Sequence, residues 1–457
     1  MIAQNNANLQ SRKPRTSQTV SILGLGYVGL CTATVFANKG VKTLGIDIDK
    51  EKIAEIARGR PPFHEPRLEP MLKTALRQKR LEVTTDVSRV DETVTTFITV
   101  GTPSNPDGSI NISYVKNATH DLGSAISDKK TYHLVVVKST VIPGTTTSTV
   151  KPVLESSSGK TVGQDMGLCT NPEFLAEGNA IQGTLQPDRI IIGANDQKSA
   201  RTLKQLYSQL YKRQQPPTIT TTPETAEMVK YASNAFLATK VSYINTIANI
   251  CQQTPRVDVT KVAEAIGLDP RIGPLFLKAG PGYGGSCFHK DLQAIIHYSR
   301  NNGYDPVLFR ATEDANEEQA SRVVALSEKL LGQLNNRRIA VLGLSFKKDT
   351  DDIREAASIR VIHHLQNKGA KVIAYDPMAT PNAKKLFADS IEFAQDPHSA
   401  LKGADCCIIM TEWDKFKKLR PKDYMGMMRV PNIVDARKLY DPEDFKSVNL
   451  VAIGLGS

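Results

Sequence analysis

A short apolar strand that runs directly into three spaced glycines limits what this chain can fold into more than any other feature. Residues 20–23 lead into Gly24-Leu25-Gly26-Tyr27-Val28-Gly29. Residues 32–39 then read as a helix, and residues 41–47 as a second strand ending in Asp47. A G-x-G-x-x-G string alone is a weak signal, whereas strand, turn, helix, strand and acid in this order are specific for a dinucleotide-binding unit. Each position has a physical task. Gly24 permits the tight turn, Gly26 lets a pyrophosphate approach the backbone, Gly29 lets the helix pack closely, and the helix N-terminus attracts the anion. Asp47 would accept hydrogen bonds from the adenosine ribose and repel a 2′-phosphate, which favours NAD over NADP.

Strand candidates follow at 94–100, 133–137, 166–170 and 189–192, with helical stretches at 112–126 and 199–210. This alternation predicts a parallel sheet, in which ligands sit beyond the carboxyl ends of the strands. Thr102, Thr140 and Glu173 all fall there, so three separate loops are expected on one rim. From residue 224 to 251 the chain lacks both proline and glycine, which predicts one helix of roughly 40 Å. Glu227, Lys230 and Asn234 share a face of it.

The next distinctive stretch is Gly280-Pro281-Gly282-Tyr283-Gly284-Gly285-Ser286-Cys287-Phe288-His289-Lys290-Asp291. A glycine-rich approach delivering a cysteine to the start of a helix, beside Lys290, is a way to present a thiol of lowered pKa. An inert cysteine in a glycine-rich turn is the alternative reading of this stretch by itself. The chain then reads as helical to about residue 333. A second strand-turn-helix-strand unit begins at 338, with further strands at 371–376, 405–410, 432–434 and 449–453. Its turn, Gly343-Leu344-Ser345-Phe346-Lys347-Lys348-Asp349, carries lysines in place of a glycine fingerprint.

The expected fold class is α/β: two Rossmann-like parallel-sheet domains joined by a long central helix. The expected divisions are a disordered tail at 1–18, an NAD-binding domain at 19–212, a central helical domain at 213–333 and a second Rossmann-like domain at 334–457. Composition sets outer limits. A chain of 457 residues, 40% hydrophobic and 23% charged, is large enough for several globular cores. No apolar run is long enough to span a bilayer, and the polar first residues lack the apolar core of a signal peptide, so the expected location is the cytoplasm. The six cysteines are scattered, which points to reduced thiols and to no metal site. The net charge of +11 comes with only 6% aromatics and no nucleic-acid module, so an anionic small ligand explains it better than nucleic acid does.

Several strings together resemble the nucleotide-sugar 6-dehydrogenases, the UDP-glucose/GDP-mannose dehydrogenase family, over nearly all of 19–457. They are the Gly24–Gly29 turn, Lys138-Ser139-Thr140, the stretch from Asn171 to Gly178, the stretch from Glu227 to Asn234, the stretch from Gly284 to Asp291, and the stretch from Phe346 to Arg354. His289 stands where relatives often have proline and Gly183 where many have an acid, departures that bear on local loop shape. The resemblance implies a four-electron oxidation of a sugar alcohol to a carboxylate with two NAD, through a thiohemiacetal and a thioester on Cys287. It implies that Lys230 and Asn234 stabilise oxyanions, that Glu173 is the base for hydrolysis, that Thr140 and Asp291 hold water and protons, and that Glu177 assists. Cofactor contacts are implied for Gly24, Gly26, Tyr27, Val28, Gly29, Asp47, Lys52, Thr102, Thr140, Lys290 and Arg354. For a UDP-sugar they are implied for Glu173, Phe174, Leu175, Lys230, Asn234, Phe276, Lys278, Tyr283, Gly284 and Lys347, with Arg437 from the second α/β domain and Arg271 reaching in from another subunit. The context of residues 234–240 and 286–288 looks more like the UDP-glucose branch. UDP-N-acetylmannosamine or GDP-mannose as substrate, and a non-catalytic NAD or nucleotide-sugar sensor, are the alternatives. The long helix corresponds to the family's dimer interface, so a homodimer is the minimum expected assembly.

Overall fold

The computed structural model describes residues 19–456, so the disorder expected at 1–18 lies outside the described residues. Two sheets dominate. The first contains β1 (Thr19–Leu23), β2 (Lys42–Ile46), β3 (Leu81–Thr84), β4 (Thr95–Ile98), β5 (His133–Val137), β6 (Met166–Thr170), β7 (Ile190–Ala194) and β8 (Thr218–Thr221). The second contains β9 (Arg338–Leu342), β10 (Lys371–Tyr375), β11 (Glu392–Phe393), β12 (Cys406–Ile409), β13 (Asn432–Asp435) and β14 (Asn449–Ala452). Their orders are β3-β2-β1-β4-β5-β6-β7-β8 and β11-β10-β9-β12-β13-β14. Both therefore contain the doubly wound 3-2-1-4-5-6 arrangement, with the switch point between the first and fourth strands. Central strands such as β5 are buried along their whole length, as expected of a sheet covered on both faces.

The expected pair of Rossmann-like sheets is present, with local corrections. β7 runs antiparallel to β6, so the first sheet is mixed. Residues 171–189, which include the short helix Ala180–Leu185, return the chain to the sheet from the same end at which β6 leaves it. β3 and the edge strand β8, together with the helices Lys50–Ala57 and Leu68–Arg77, are additional elements that the sequence pattern did not reveal. The helical stretch after Cys287 is two helices, Phe288–Asn301 and Val307–Leu331, interrupted at Gly303, whose φ is +81°, and at Pro306.

The helix Pro223–Gln252 connects the two sheets. Thr222 caps it by accepting from the Thr225 amide, and Pro223 occupies its first turn, where no amide is needed. Its buried face packs Tyr231, Ala235 and Ala238 against Leu292, Ile295 and Ile296 of Phe288–Asn301. That packing fixes the depth and rotation at which Lys230 and Asn234 meet Cys287 and Asp291. Among the described residues no helix is long and apolar enough to cross a membrane.

Candidate active site

The glycine turn after β1 has the geometry a dinucleotide requires. Gly24, at φ +96°, donates its amide to the Ile46 carbonyl at 2.7 Å, and the Leu25 amide donates to Asp47 Oδ2 at 2.7 Å. The helix Tyr27–Asn38 starts at once, with Gly26 at its N-cap and no side-chain cap. A methyl group at Gly26 would meet nothing within 4 Å, whereas one at Gly29 would lie 1.9 Å from the Gly24 carbonyl oxygen. The free amides of the first helical turn thus face open space, a fitting seat for a pyrophosphate. Asp47 also accepts from the Asp49 amide at 3.1 Å and pairs with Lys52 at 3.0 Å.

That turn opens onto a cleft of about 510 Å³. Tyr27 and Val28 line one side, Thr102, Thr140 and Glu173 the strand ends, and Glu177, Ser286, Cys287, Lys290 and Arg354 the far side. The three rim loops expected from the sequence therefore do converge. Thr102 Oγ1 donates to the Thr140 carbonyl at 2.9 Å, linking two of them.

At the base of the cleft, Lys230 of the long helix donates to Glu173 Oε1 at 2.9 Å, both side chains being buried. Burial works to raise the Glu173 carboxyl, but the Lys230 ammonium and the Leu175 amide hold it net below its usual value. Burial likewise works to lower Lys230, and Glu173, Asp291 and Cys287 more than offset it. The pair is therefore ionised. Lys138, buried alongside with Nζ 3.0 Å from Asn171 Oδ1, is lowered to about 8 by burial and by Lys230, against the pull of Glu173. Asn234 Nδ2 donates to Asp291 Oδ2 at 2.6 Å, and Lys290 pairs with Asp291 Oδ1 at 2.6 Å.

Cys287 is the N-cap residue of Phe288–Asn301 and half-buried. Burial raises its thiol, Lys230 opposes that rise, and Glu173 and Asp291 reinforce it. This corrects the expectation drawn from Lys290. That lysine is engaged by Asp291, and the cation acting on the sulfur comes instead from a helix 57 positions earlier in the chain. Its resting form is the thiol.

The second sheet contributes through residues 343–356. Lys347 is half-buried, and burial lowers its pKa against the pull of Glu177 and Glu65. Arg354 pairs with Asp352 at 2.6 Å and reaches Glu177 at 3.5 Å. Arg437 donates to the Met410 and Phe346 carbonyls at 2.7 and 3.0 Å. Tyr283 is buried and bonded to Glu313, and a Cβ on Gly284 would lie 2.3 Å from the Glu355 carbonyl, so residues 283–285 lie pressed against this loop. Phe276 adopts φ +64° with its ring 6.2 Å from that of Phe288. Lys278 lines a separate cleft with Lys438, and Arg271 is exposed and paired with Asp269 at 2.7 Å. Phe174 lines a cavity behind the rim, under Arg189, and Leu175 borders both spaces. His289 falls in the first turn of the cysteine helix, 2.6 Å from Glu313, and Gly183 lines the cavity behind the rim.

Four participants were not assigned from the sequence. Glu65, buried, accepts from Tyr27 Oη and from the Gly178 amide at 2.7 Å, tying the glycine turn to the Glu177 loop. The next residue back, His64, donates its amide to Asp351 of the second sheet's loop at 3.4 Å. Nothing in the local sequence signals this, because the partners lie far apart along the chain. Lys138 and Ser286 stand inside the matched strings, beside Thr140 and Cys287, so proximity was the available signal.

Fold and cleft together define a dinucleotide-dependent oxidoreductase with a cysteine at the cofactor rim. Models of three domains match in order: the UDP-glucose/GDP-mannose dehydrogenase family's NAD binding domain over 18–211, its central domain over 224–318 and its UDP binding domain over 340–442. The chain belongs to the UDP-glucose/GDP-mannose dehydrogenase family. UDP-glucose 6-dehydrogenase AglM of Haloferax volcanii is 42% identical over 421 residues, covering 92% of this chain and 96% of that one. UDP-glucose 6-dehydrogenase TuaD of Bacillus subtilis is 37% identical over 438 residues, with 96% and 93% covered. Among solved structures, a UDP-glucose dehydrogenase from Pyrobaculum islandicum superposes with a TM-score of 0.89 at 37% identity, covering 98% of this chain and all of that one. A UDP-D-ManNAc dehydrogenase from Pyrococcus horikoshii gives 0.84 at 28% identity, with 96% and 100% covered.

Proposed function

We propose that this enzyme oxidises UDP-glucose to UDP-glucuronate with two NAD, through a covalent intermediate on Cys287. The observation that carries the reading is the position of that thiol: on a helix N-terminus, on the wall of the cleft that the glycine turn opens into, beside a buried Lys230–Glu173 ion pair. NAD, when bound, supplies the acceptor for a hydride from carbon 6 in each of two rounds. Between the rounds the aldehyde must be retained, and Cys287 does this by adding to its carbonyl carbon. Lys230 and Asn234 present cationic and amide donors to the oxygen that gains charge. Glu173, held ionised by its partner, is the base that takes a proton from the hydrolytic water, with Thr140 and Asp291 orienting it. Lys347, Arg437 and Lys278 supply positive charge for the diphosphate from the second sheet's side, and Arg271 does so from a neighbouring subunit. A cytoplasmic homodimer is part of this reading. On the long helix Met228, Phe236, Tyr243 and Ile250 are 40%, 65%, 51% and 59% exposed, an apolar face suited to a second copy.

The test is a panel of nucleotide sugars with NADH stoichiometry. Two NADH per UDP-glucose, with Cys287→Ser blocking acid formation while nucleotide binding persists, is the expected result. Turnover of UDP-N-acetylmannosamine or GDP-mannose in place of UDP-glucose would move the enzyme to another branch of the family. A Cys287→Ser protein forming glucuronate at the normal rate would remove the covalent step.

A further inference from the structure

The function proposed above needs the Cys287 sulfur as a thiolate when it meets a carbonyl carbon, yet its surroundings hold the proton on. The carboxylates closest in charge are already engaged. Glu173 accepts from Lys230 and from the Leu175 amide, and Asp291 accepts from Asn234 and Lys290. The hydroxyl of Ser286 stands 3.5 Å from Cys287 Sγ, and the same oxygen donates to Glu177 Oε1 at 2.9 Å. Sγ, Oγ and Oε1 thus form an unbroken hydrogen-bonded line from the reacting sulfur to a carboxylate on a different loop.

We propose that Ser286 is a catalytic residue, passing the thiol proton of Cys287 to Glu177 as the sulfur attacks. This rests on Cys287 being the nucleophile. The Sγ–H bond breaks as the Sγ–C bond forms, and the π pair of the carbonyl moves to its oxygen. Ser286 accepts the thiol proton at Oγ and releases its own to Glu177 Oε1, so the serine ends as it began and no oxidant is consumed. Glu177 is suited to the receiving end. Burial and the neighbouring Asp352 push its carboxyl up to about 7, against the pull of Arg354 and the Ser286 hydroxyl. An ordinary glutamate, at roughly 4.3, would be a far weaker base for a thiol proton. Glu177 also borders the cleft, through which the proton can leave to solvent.

Charged groups surround the line. Lys230, Glu173 and Asp291 face the sulfur, Asp352 and Arg354 face Glu177, and Lys347 and Arg354 act on both ends. Below about pH 7 Glu177 carries a proton and cannot accept another, and above it the carboxylate can. Sulfur reactivity in the intact enzyme therefore rises through neutrality, before the thiol's own ionisation lifts it again at alkaline pH.

The experiment follows alkylation of Cys287 by iodoacetamide, read on its peptide by mass spectrometry across the neutral range, for wild type, Ser286→Ala, Ser286→Thr and Glu177→Gln. The neutral inflection should vanish in Ser286→Ala and Glu177→Gln, with alkylation at neutral pH slowed about tenfold or more, and persist in Ser286→Thr. An inflection retained in either of the first two variants, or a uniform slowing that leaves it in place, overturns the relay and leaves Ser286 a packing residue. Glu177→Gln is sufficient by itself to decide between these outcomes if Ser286→Ala does not fold. No nucleotide sugar enters the assay, so a negative result here leaves the proposed function standing, and a failure of the sugar panel leaves this readout intact.

Discussion

The two sheets share a strand order and a device, and they use the device to opposite ends. In each, an aspartate after the second strand accepts the amide that follows a positive-φ glycine: Asp47 from Leu25 at 2.7 Å, and Asp376 from Leu344 at 2.8 Å. Beyond that bond they diverge. Asp47 is otherwise held by the Asp49 amide and Lys52, and the helix that follows its turn begins at Tyr27 with an open N-terminus. Asp376 is saturated by its own domain, accepting also from the Ser345 amide and hydroxyl, the Trp413 indole, and the Met378 and Ala379 amides. The matching helix there starts only at Ala357, and the intervening loop crosses to the other sheet's cleft with Lys347 and Arg354. One turn is left free for a ligand's phosphates. The other is closed by the chain itself and lends its loop. Shared topology thus does not decide which sheet holds a dinucleotide, whereas the donors already committed at the turn do.

Gly29→Ala puts the largest strain on this contrast. Its Cβ would lie 1.9 Å from the Gly24 oxygen and 2.6 Å from Thr99 Oγ1, so the backbone of the turn must move. NAD binding by calorimetry should be lost, and thermal unfolding should report a destabilisation of more than about 3 kcal/mol. Affinity close to wild type would mean that the turn yields and is not what shapes the site.

Asp376→Ala comes next and should separate stability from binding. Buried donors on Leu344, Ser345 and Trp413 lose their acceptor, and denaturant unfolding should show a loss of about 3–5 kcal/mol. NAD affinity of the folded protein should stay within about twofold, because the altered site is remote from the glycine turn. Weakened NAD binding at unchanged stability would reverse the contrast.

Asp47→Ala should do the converse on a smaller scale. A stability change of about 1 kcal/mol is expected with about tenfold weaker NAD binding and reduced discrimination against NADP, measured by paired titrations of the two cofactors. Undiminished discrimination would place the reading of the ribose elsewhere.

Much of this architecture was legible because its signals are local. The glycine spacing before residues 27–38 and the proline-free run that becomes Pro223–Gln252 each act within a few turns of chain. The reversal of β7 against β6 was not legible, since residues 171–189 are long enough for either direction, as the parallel return over 24–41 shows, and periodicity carries no information about direction. The helical stretch expected after Cys287 divides at residues 302–306, where Gly303 adopts φ +81° and Pro306 precedes the start of the second helix. In the site, the cysteine at the helix start was visible and the cation acting on it was misplaced. Lys290 is adjacent in sequence, but its ammonium is held by Asp291, and Lys230 arrives through packing of two helices.

The sequence by itself determined most of the elements, the dinucleotide turn and, through the family strings, the identities of the cysteine and glutamate that line the cleft and of the lysine paired with that glutamate. Backbone freedom at glycine and apolar spacing along helices and strands act at short range, so one chain is enough to read them. Only the tertiary structure decided which charge faces which. The Lys230–Glu173 pair, the Glu65 bridge from Tyr27 to Gly178 and the line from Cys287 through Ser286 to Glu177 each join different loops or helices. The ionisation of each group follows from desolvation and from neighbours that folding brings within a few ångströms, and linear order does not contain those distances.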